Sequence, residues 1–357
     1  SPGIFLVHYS GPNDDGYLLT VKISSDGTVS KLTEIENDTN YAWENGIMKM
    51  YEYVYVVAYR NNARNLMLQT IKSPTDGSSI TKMKTITADN YTYSQINFER
   101  VDHNTIILAY SGYREDGFIK SFDVEADGSI SQGDSWEHDV ERGKFHSLVK
   151  LAPGYFGLAY HGYRNHQNAG NQWSSMVMTF SVDDEGKNFK GIATLKHDTE
   201  TSSNAANLDF IKIDEDSYAL AYRTYNSSRW RAKIKTFTIK ADGSSIVQES
   251  EQRVFIESAG NGDEGYSMAW QKMDSDNLLL RLSDRSSDGF LRSYQVSNTG
   301  KTLTNDWYFE FEPNYTRYNT PYGLAKIDKD SYIVAYADGS SDGYLKIFDI
   351  ENMDTQK

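Results

Sequence analysis

The chain has 357 residues, with 36 basic against 50 acidic side chains, a formal charge of −14, no cysteine and a mean hydropathy of −0.63. That balance excludes a nucleic-acid binder, which needs clustered Lys and Arg, and the missing thiols exclude disulfide frameworks, thiolate metal sites and cysteine nucleophiles. No run approaches the roughly 18 apolar residues of a membrane helix, so no membrane insertion is expected.

The first apolar run ends at Tyr9 and is followed by a loop closed at Asp15-Gly16, an alternating segment and a turn at Asp26-Gly27. This order recurs, and residues 104–131, NTIILAYSGYREDGFIKSFDVEADGSIS, show it most clearly. Residues 106–110 are a short β-branched run ending in an aromatic, and 118–124 alternate at period two, so both are predicted strands. Asp127-Gly128 then turns the chain into a third strand near Ile130, because an Asp-Gly pair tolerates the positive φ of a tight hairpin.

Equivalent landmarks fall at Tyr9, Tyr59, Tyr110, Tyr160, Tyr222, Leu282 and Tyr336, at intervals of 50, 51, 50, 62, 60 and 54 residues. In six copies another apolar segment precedes the landmark strand, at 47–50, 96–101, 148–151, 208–213, 268–273 and 324–327. The four strands, A to D, run in the fourth copy at about 146–151, 156–160, 176–182 and 189–195. Antiparallel four-stranded repeats of this length predict an all-β fold, a seven-bladed β-propeller forming a single domain over 1–357, with a six-bladed ring as the alternative. The first copy begins at strand B, and the last reaches strand C with only ENMDTQK beyond it. Completion of that seam is therefore expected from the chain's own ends, from self-assembly or from a neighbouring domain.

The copies DGYLLTVKISSDGTVS, DGFIKSFDVEADGSIS, KIKTFTIKADGSSI, DGFLRSYQVSNTGKT and AYADGSSDGYLKIFDI resemble the tandem β-propeller repeats of large secreted or cell-surface proteins of archaea and bacteria. The resemblance implies an extracellular or cell-surface location and brings no common catalytic residue with it. Copies two, four and five lack the Asp-Gly opening of strand C.

In such a meander the B–C loops and D-to-A crossings share one face. The loops are 10–16, 60–65, 111–117, 161–175, 223–232, 283–289 and 337–343, the fourth being the longest. Aromatic and Arg residues gather there, and the candidate ligand-binding set is Tyr41, Trp43, Tyr91, Tyr93, Tyr113, Arg114, Tyr163, Arg164, Trp173, Trp230, Tyr315 and Tyr318. Rings beside planar donors suit a pyranose, which is apolar on one face and hydroxylated at its edge, so a glycan or a protein is the expected ligand. Aromatics that merely cover the inter-blade core are the competing explanation.

Catalysis has weaker support. The segment DEGKNF at 184–189 echoes the second half of a sialidase Asp box, but Val182 stands where its serine belongs. A sialidase-like glycoside hydrolase is thus an alternative, as is a scaffolding propeller in a surface assembly. No cofactor is expected and no metal, since the seven histidines include no H-E-x-x-H. Asp-Gly pairs at 15, 116, 288 and 342 could suggest calcium, but they lack EF-hand spacing. The preferred reading is loop closure, with each carboxylate capping backbone N–H groups and each glycine supplying an unusual φ. N-x-S/T sequons at Asn37, Asn90, Asn226 and Asn314 are expected at loops or strand ends.

Overall fold

The computed structural model describes residues 3–93, 95–163, 173–201, 208–226, 229–254, 264–284, 288–297, 300–313, 323–337 and 343–352. Among these the chain forms seven antiparallel sheets, and helix is confined to short 3-10 turns. The first sheet has three strands, β1 (Ile4–Ser10), β2 (Gly16–Ile23) and β3 (Val29–Asp38). The second is β4 (Trp43–Lys49), β5 (Val54–Arg60), β6 (Leu66–Lys72) and β7 (Thr81–Asp89). The third is β8 (Asn97–Arg100), β9 (Thr105–Ser111), β10 (Gly117–Val124) and β11 (Ile130–Asp139). The fourth is β12 (Gly143–Ala152), β13 (Tyr155–Tyr163), β14 (Trp173–Ser181) and β15 (Lys190–Thr201). The fifth is β16 (Asp209–Lys212), β17 (Ser217–Asn226), β18 (Arg229–Ile239) and β19 (Ile246–Arg253). The sixth is β20 (Glu264–Lys272), β21 (Asn277–Asp284), β22 (Gly289–Ser297) and β23 (Thr302–Glu312). The last is three-stranded, β24 (Leu324–Lys326), β25 (Ser331–Ala337) and β26 (Gly343–Asp349).

Every sheet is a simple meander, and the fold is a seven-bladed β-propeller; seven sheets exclude the six-bladed alternative. Among the described residues the first sheet lacks strand A and the last lacks strand D, as the register of the repeats predicts. The chain divides into two compact units, residues 1–146 with 182–190, and 147–181 with 191–357.

The period has a physical cause that the residue pattern alone did not reveal. On strand B, Tyr59, Tyr110 and Tyr222 are fully buried and Tyr336 nearly so, and in these four the hydroxyl reaches an acid at the end of the preceding blade's strand D, whereas Tyr9 is half-buried and bonds Glu34 of its own sheet. Tyr59 donates to Asp38 at 2.7 Å, Tyr110 to Asp89 at 2.6 Å, Tyr222 to Asp198 at 2.6 Å and Tyr336 to Glu312 at 2.9 Å. Lys120 and Lys233 join two of these pairs, at 2.7 and 3.0 Å. Burial pushes the Asp89 carboxyl up, but the bonds from Lys120 and Tyr110 outweigh it and hold the group below its ordinary value. A buried hydroxyl needs a partner, so the blades are tied by polar links within an apolar interface.

The C–D turns behave as predicted. The Asp26, Asp76, Asp127 and Asp242 carboxylates accept the N–H two residues on, at 2.9 to 3.0 Å. Their following glycines have φ of 80°, 67°, 83° and 71°. The Asp-box-like segment is a longer version of this turn. Asp183 accepts the N–H groups of Glu185 and Lys187, and Phe189 stacks on Trp136 at 6.2 Å, so the segment serves structure. Asn37 lies at the end of β3, as expected, but only 4% of it is exposed and a glycan could not be attached without opening the strand end.

Candidate functional site

In the first unit the B–C loops and the D-to-A crossings are laced together by their own backbone. Ala42 N–H donates to Asp14 O at 2.9 Å, Asn62 N–H to Asn40 O at 3.0 Å and Thr92 N–H to Arg64 O at 2.6 Å. The loops are short and tightly made. Gly11 N–H bonds Asp15 O and Gly112 N–H bonds Asp116 O, both at 2.8 Å, around a single 3-10 turn.

These loops correct the expected role of Asp-Gly. Backbone bonds make the closure, and Gly16, Gly117 and Gly289 are not among the glycines with positive φ. Glycine is needed there for space: a Cβ on Gly117 would lie 2.5 Å from the His138 ring, and one on Gly289 2.4 Å from Phe311. Positive φ falls instead on larger side chains, with Asn13 and Asp14 at 61° and 63°, and Arg114 and Glu115 at 61° and 73°. Tyr41 and Arg64 lie in the same region at 63° and 66°. A non-glycine residue there carries about 1–2 kcal/mol of strain, which persists only where its surroundings fix it.

The fixed backbone presents a row of rings and guanidinium groups. Tyr41 meets Trp43 edge-on at 5.0 Å, and Arg60 lies 4.8 Å over the Trp43 ring. Arg60 also donates to the Tyr93 carbonyl at 3.2 Å, and Lys144 sits 4.4 Å over the Tyr93 ring. Beside these, Arg64 donates to the Tyr91 hydroxyl at 2.9 Å, Tyr91 meets Tyr113 edge-on at 5.8 Å, and Arg114 covers Tyr113 at 5.4 Å. Trp43, Tyr93 and Tyr113 are exposed, Tyr113 by 63%. Glu115 pairs with Lys144 at 2.7 Å and Arg142 at 3.5 Å, so its carboxylate is engaged. Burial lowers the Lys144 ammonium from its ordinary value against the opposing pull of Glu115.

Six of the predicted ligand residues therefore belong to one unit: Tyr41, Trp43, Tyr91, Tyr93, Tyr113 and Arg114. Sequence reasoning missed Arg60 and Lys144, which sit on strands yet reach the exposed rings. The second unit differs. The described ends of the expected fourth loop, 161–163 and 173–175, and most of the fifth are strand, pairing Tyr163 with Trp173 and Tyr225 with Trp230 across extended hairpins. Trp173 is only 6% exposed and packs on Tyr163 at 5.1 Å, so it is a structural ring and not a free face. Trp230 is half-buried, with Arg223 at 4.0 Å over its ring and Tyr225 at 4.8 Å beside it. Arg164, Tyr315 and Tyr318 lie outside the described residues. Among the described residues no cluster of three His, Asp or Glu side chains could hold a metal.

No family model and no curated protein matches the chain. Solved structures do match in fold. The BP39L lectin of Burkholderia pseudomallei shares a TM-score of 0.68 at 8% identity, over 98% of this chain and 93% of its own. A Bacteroides fragilis protein provisionally described as a 6-phosphogluconolactonase shares 0.60 at 15% identity, over 98% and 95%. Sqt1 of Saccharomyces cerevisiae shares 0.55 at 10% identity, over 100% and 82%. Identities this low speak for the fold alone.

Proposed function

We propose that the chain is a non-catalytic binding module, displayed outside the cell, that takes a glycan on the laced face of its first unit. The observation that carries this reading is the Trp43–Arg60–Tyr93 and Tyr91–Tyr113–Arg114 row, in which exposed rings stand beside guanidinium donors on a strained backbone. A sugar stacks its apolar face on such rings and hydrogen-bonds its hydroxyls to the flanking donors. The lectin among the structural neighbours supports a binding role for the fold, and the repeat resemblance supports a surface location. A glycan array is the test. Binding that survives Trp173→Ala but is lost in Tyr113→Ala and Trp43→Ala supports the reading. Turnover of aryl glycosides or sialosides by the purified chain, lost on replacing a carboxylate with the fold intact, overturns it.

A further inference from the structure

In three sheets a lysine on strand C reaches the preceding blade at the same place. Lys120, Lys235 and Lys346 each pair across the sheet with the residue two before the landmark tyrosine, namely Leu108, Leu220 and Val334. Their ammonium groups donate to the carbonyl just before the acid that holds the tyrosine hydroxyl: Lys120 to Ala88 O at 3.1 Å, Lys235 to His197 O and Lys346 to Phe311 O. Lys120 also bonds the acid itself, Asp89, at 2.7 Å, and Lys233 does the same on Asp198 at 3.0 Å. Lys120 and Lys235 lie 6.0 and 5.9 Å over the rings of Tyr110 and Tyr222. The repeat thus builds an ammonium site from a carbonyl, a carboxylate and a tyrosine face, and fills it with its own lysine. The sixth sheet has Arg292 at this place, bonded to Asn305 at 3.2 Å, and the fourth has the buried Met178, an apolar side chain that asks for no acceptor.

The second sheet has the site without the lysine. Gln69 stands there, paired with Val57, and its amide donates to the Thr85 hydroxyl of its own sheet at 2.8 Å. Asp38 accepts the Tyr59 hydroxyl at 2.7 Å and the Asn40 N–H at 2.8 Å, and among the described residues no cation pairs with it or lies over the Tyr59 ring. The space that a lysine side chain takes in the third sheet is here an open notch of about 330 Å³, lined by Asn37, Asp38, Tyr59, Gln69, Lys82 and Thr85. Gln69 is 2% exposed, and its side-chain oxygen has no partner among the described residues. A buried acceptor without a donor is costly, so it marks where a donor belongs. Lys82 does not supply it. That side chain is exposed on strand D and bonds the outer carbonyls of Glu36 and Asn37, at 3.3 and 3.5 Å, rather than Asp38.

We infer that this notch binds a primary alkylammonium group supplied from outside the chain. Its three N–H donors match three acceptors, Asn37 O, the Asp38 carboxylate and Gln69 Oε1, with the Tyr59 ring beside them for the charge. A quaternary ammonium carries the charge but no donor, and leaves the Gln69 oxygen unpaired. Free amines and the lysine side chain of a peptide share the required chemistry. The inference is independent of the glycan reading, since none of the residues lining the notch belongs to the row of rings.

The test titrates the full chain with butylammonium chloride and follows the backbone amides of Asp38 and Gln69 by NMR. Saturable shifts are expected, and tetramethylammonium at the same ionic strength binds at least tenfold more weakly. Gln69→Lys fills the notch with the repeat's own lysine, so Tm rises and amine affinity falls at least tenfold. Lys82→Met removes a like charge from the rim and tightens binding at least twofold. Nα-acetyl-lysine amide binding more tightly than butylammonium assigns the group to a peptide lysine, and the reverse order assigns it to a free amine. The inference is overturned by any one of four results: shifts that stay linear in amine concentration, equal affinity for tetramethylammonium, unaltered affinity in Gln69→Lys, or binding confined to Lys82→Met, which makes Lys82 the notch's own cation.

Discussion

Tyr113 and Trp173 come from corresponding stretches of two copies, between strands B and C, and meet opposite fates. The loop carrying Tyr113 is one 3-10 turn closed by a backbone bond, too short to fold back on itself, and the ring stands 63% exposed. The stretch carrying Trp173 is long enough to continue both strands, and its ring is covered by the hairpin that it helps to build. In this pair the ring on the short, strained loop is free and the ring on the long stretch is consumed by packing, although Tyr225 on the other long stretch stays 39% exposed. Length and richness in aromatics, taken alone, point the wrong way.

The largest test of that contrast is a pair of alanine variants. Trp173→Ala removes a buried indole and should cost about 3 kcal/mol in urea unfolding, whereas Tyr113→Ala should stay within about 0.5 kcal/mol of the parent. Equal losses for both would erase the distinction between the two regions.

Covered and open positions differ in charge behaviour as well. Burial pushes the imidazoles of His8 and His161 down to about 4, and His197 well below its usual value. These groups bind more protons unfolded than folded between pH 4 and the ordinary histidine range near 6.5, so stability falls as the solution is acidified through that window. Asp209 acts in the opposite sense. Burial raises it to about 6 despite bonds from Trp270 N–H at 2.7 Å and the Ser147 hydroxyl at 3.2 Å. The folded state therefore holds its proton between pH 3.8 and 6, which softens the acid loss. Asp209→Asn should steepen the fall in that window by at most about 1.4 kcal/mol per pH unit, read from urea midpoints at a series of pH values. An unchanged or shallower slope would show that Asp209 is ionised and solvated.

A smaller effect separates the two classes of tyrosine. Tyr110→Phe keeps the ring but leaves Asp89 with only Lys120 and the Tyr91 N–H, and should cost about 1–2 kcal/mol. Tyr91→Phe deletes a hydroxyl bonded only at the surface, by Arg64, and should cost no more than about 0.5 kcal/mol. The cost of the first should shrink in a Lys120→Met background if hydroxyl and ammonium act as one network.

Much of the fold was legible because each turn and each strand repeats the same local chemistry. Asp-Gly at C–D turns and the apolar run ending at each landmark are strong signals that state their own geometry. The polar link between blades was also present in the sequence, since an acid precedes Tyr59 and Tyr110 by 21 residues and Tyr222 and Tyr336 by 24. It went unread because strand alternation describes one sheet, and this bond joins two. The face of the propeller was legible; the division of its aromatics into free and covered was not. That division depends on whether a hairpin extends, as it does at Tyr163 and Tyr225, and both stretches read as polar loops rich in Asn, Ser and Arg. Left-handed Arg114 and Glu115 gave no signal either, because composition favours Gly and Asn at such φ.

Those left-handed residues give the finest test of the contrast. Arg114 at φ 61° carries strain of about 1–2 kcal/mol that glycine would not, while glycine gives back about 0.5–1 kcal/mol through the freer unfolded chain. Arg114→Gly should therefore leave the protein as stable as the parent, or more stable by up to about 1 kcal/mol, although it deletes a long side chain. The same change removes the guanidinium from the Tyr113 ring, so glycan affinity should fall while stability does not. Arg114→Ala separates the two contributions: it loses the guanidinium as well but keeps the strain, and so should match glycine in affinity and trail it in urea midpoint. If glycine instead destabilises the loop by more than alanine does, Arg114 is held by contacts stronger than its backbone strain, and the side chain is a structural brace and not part of a binding face.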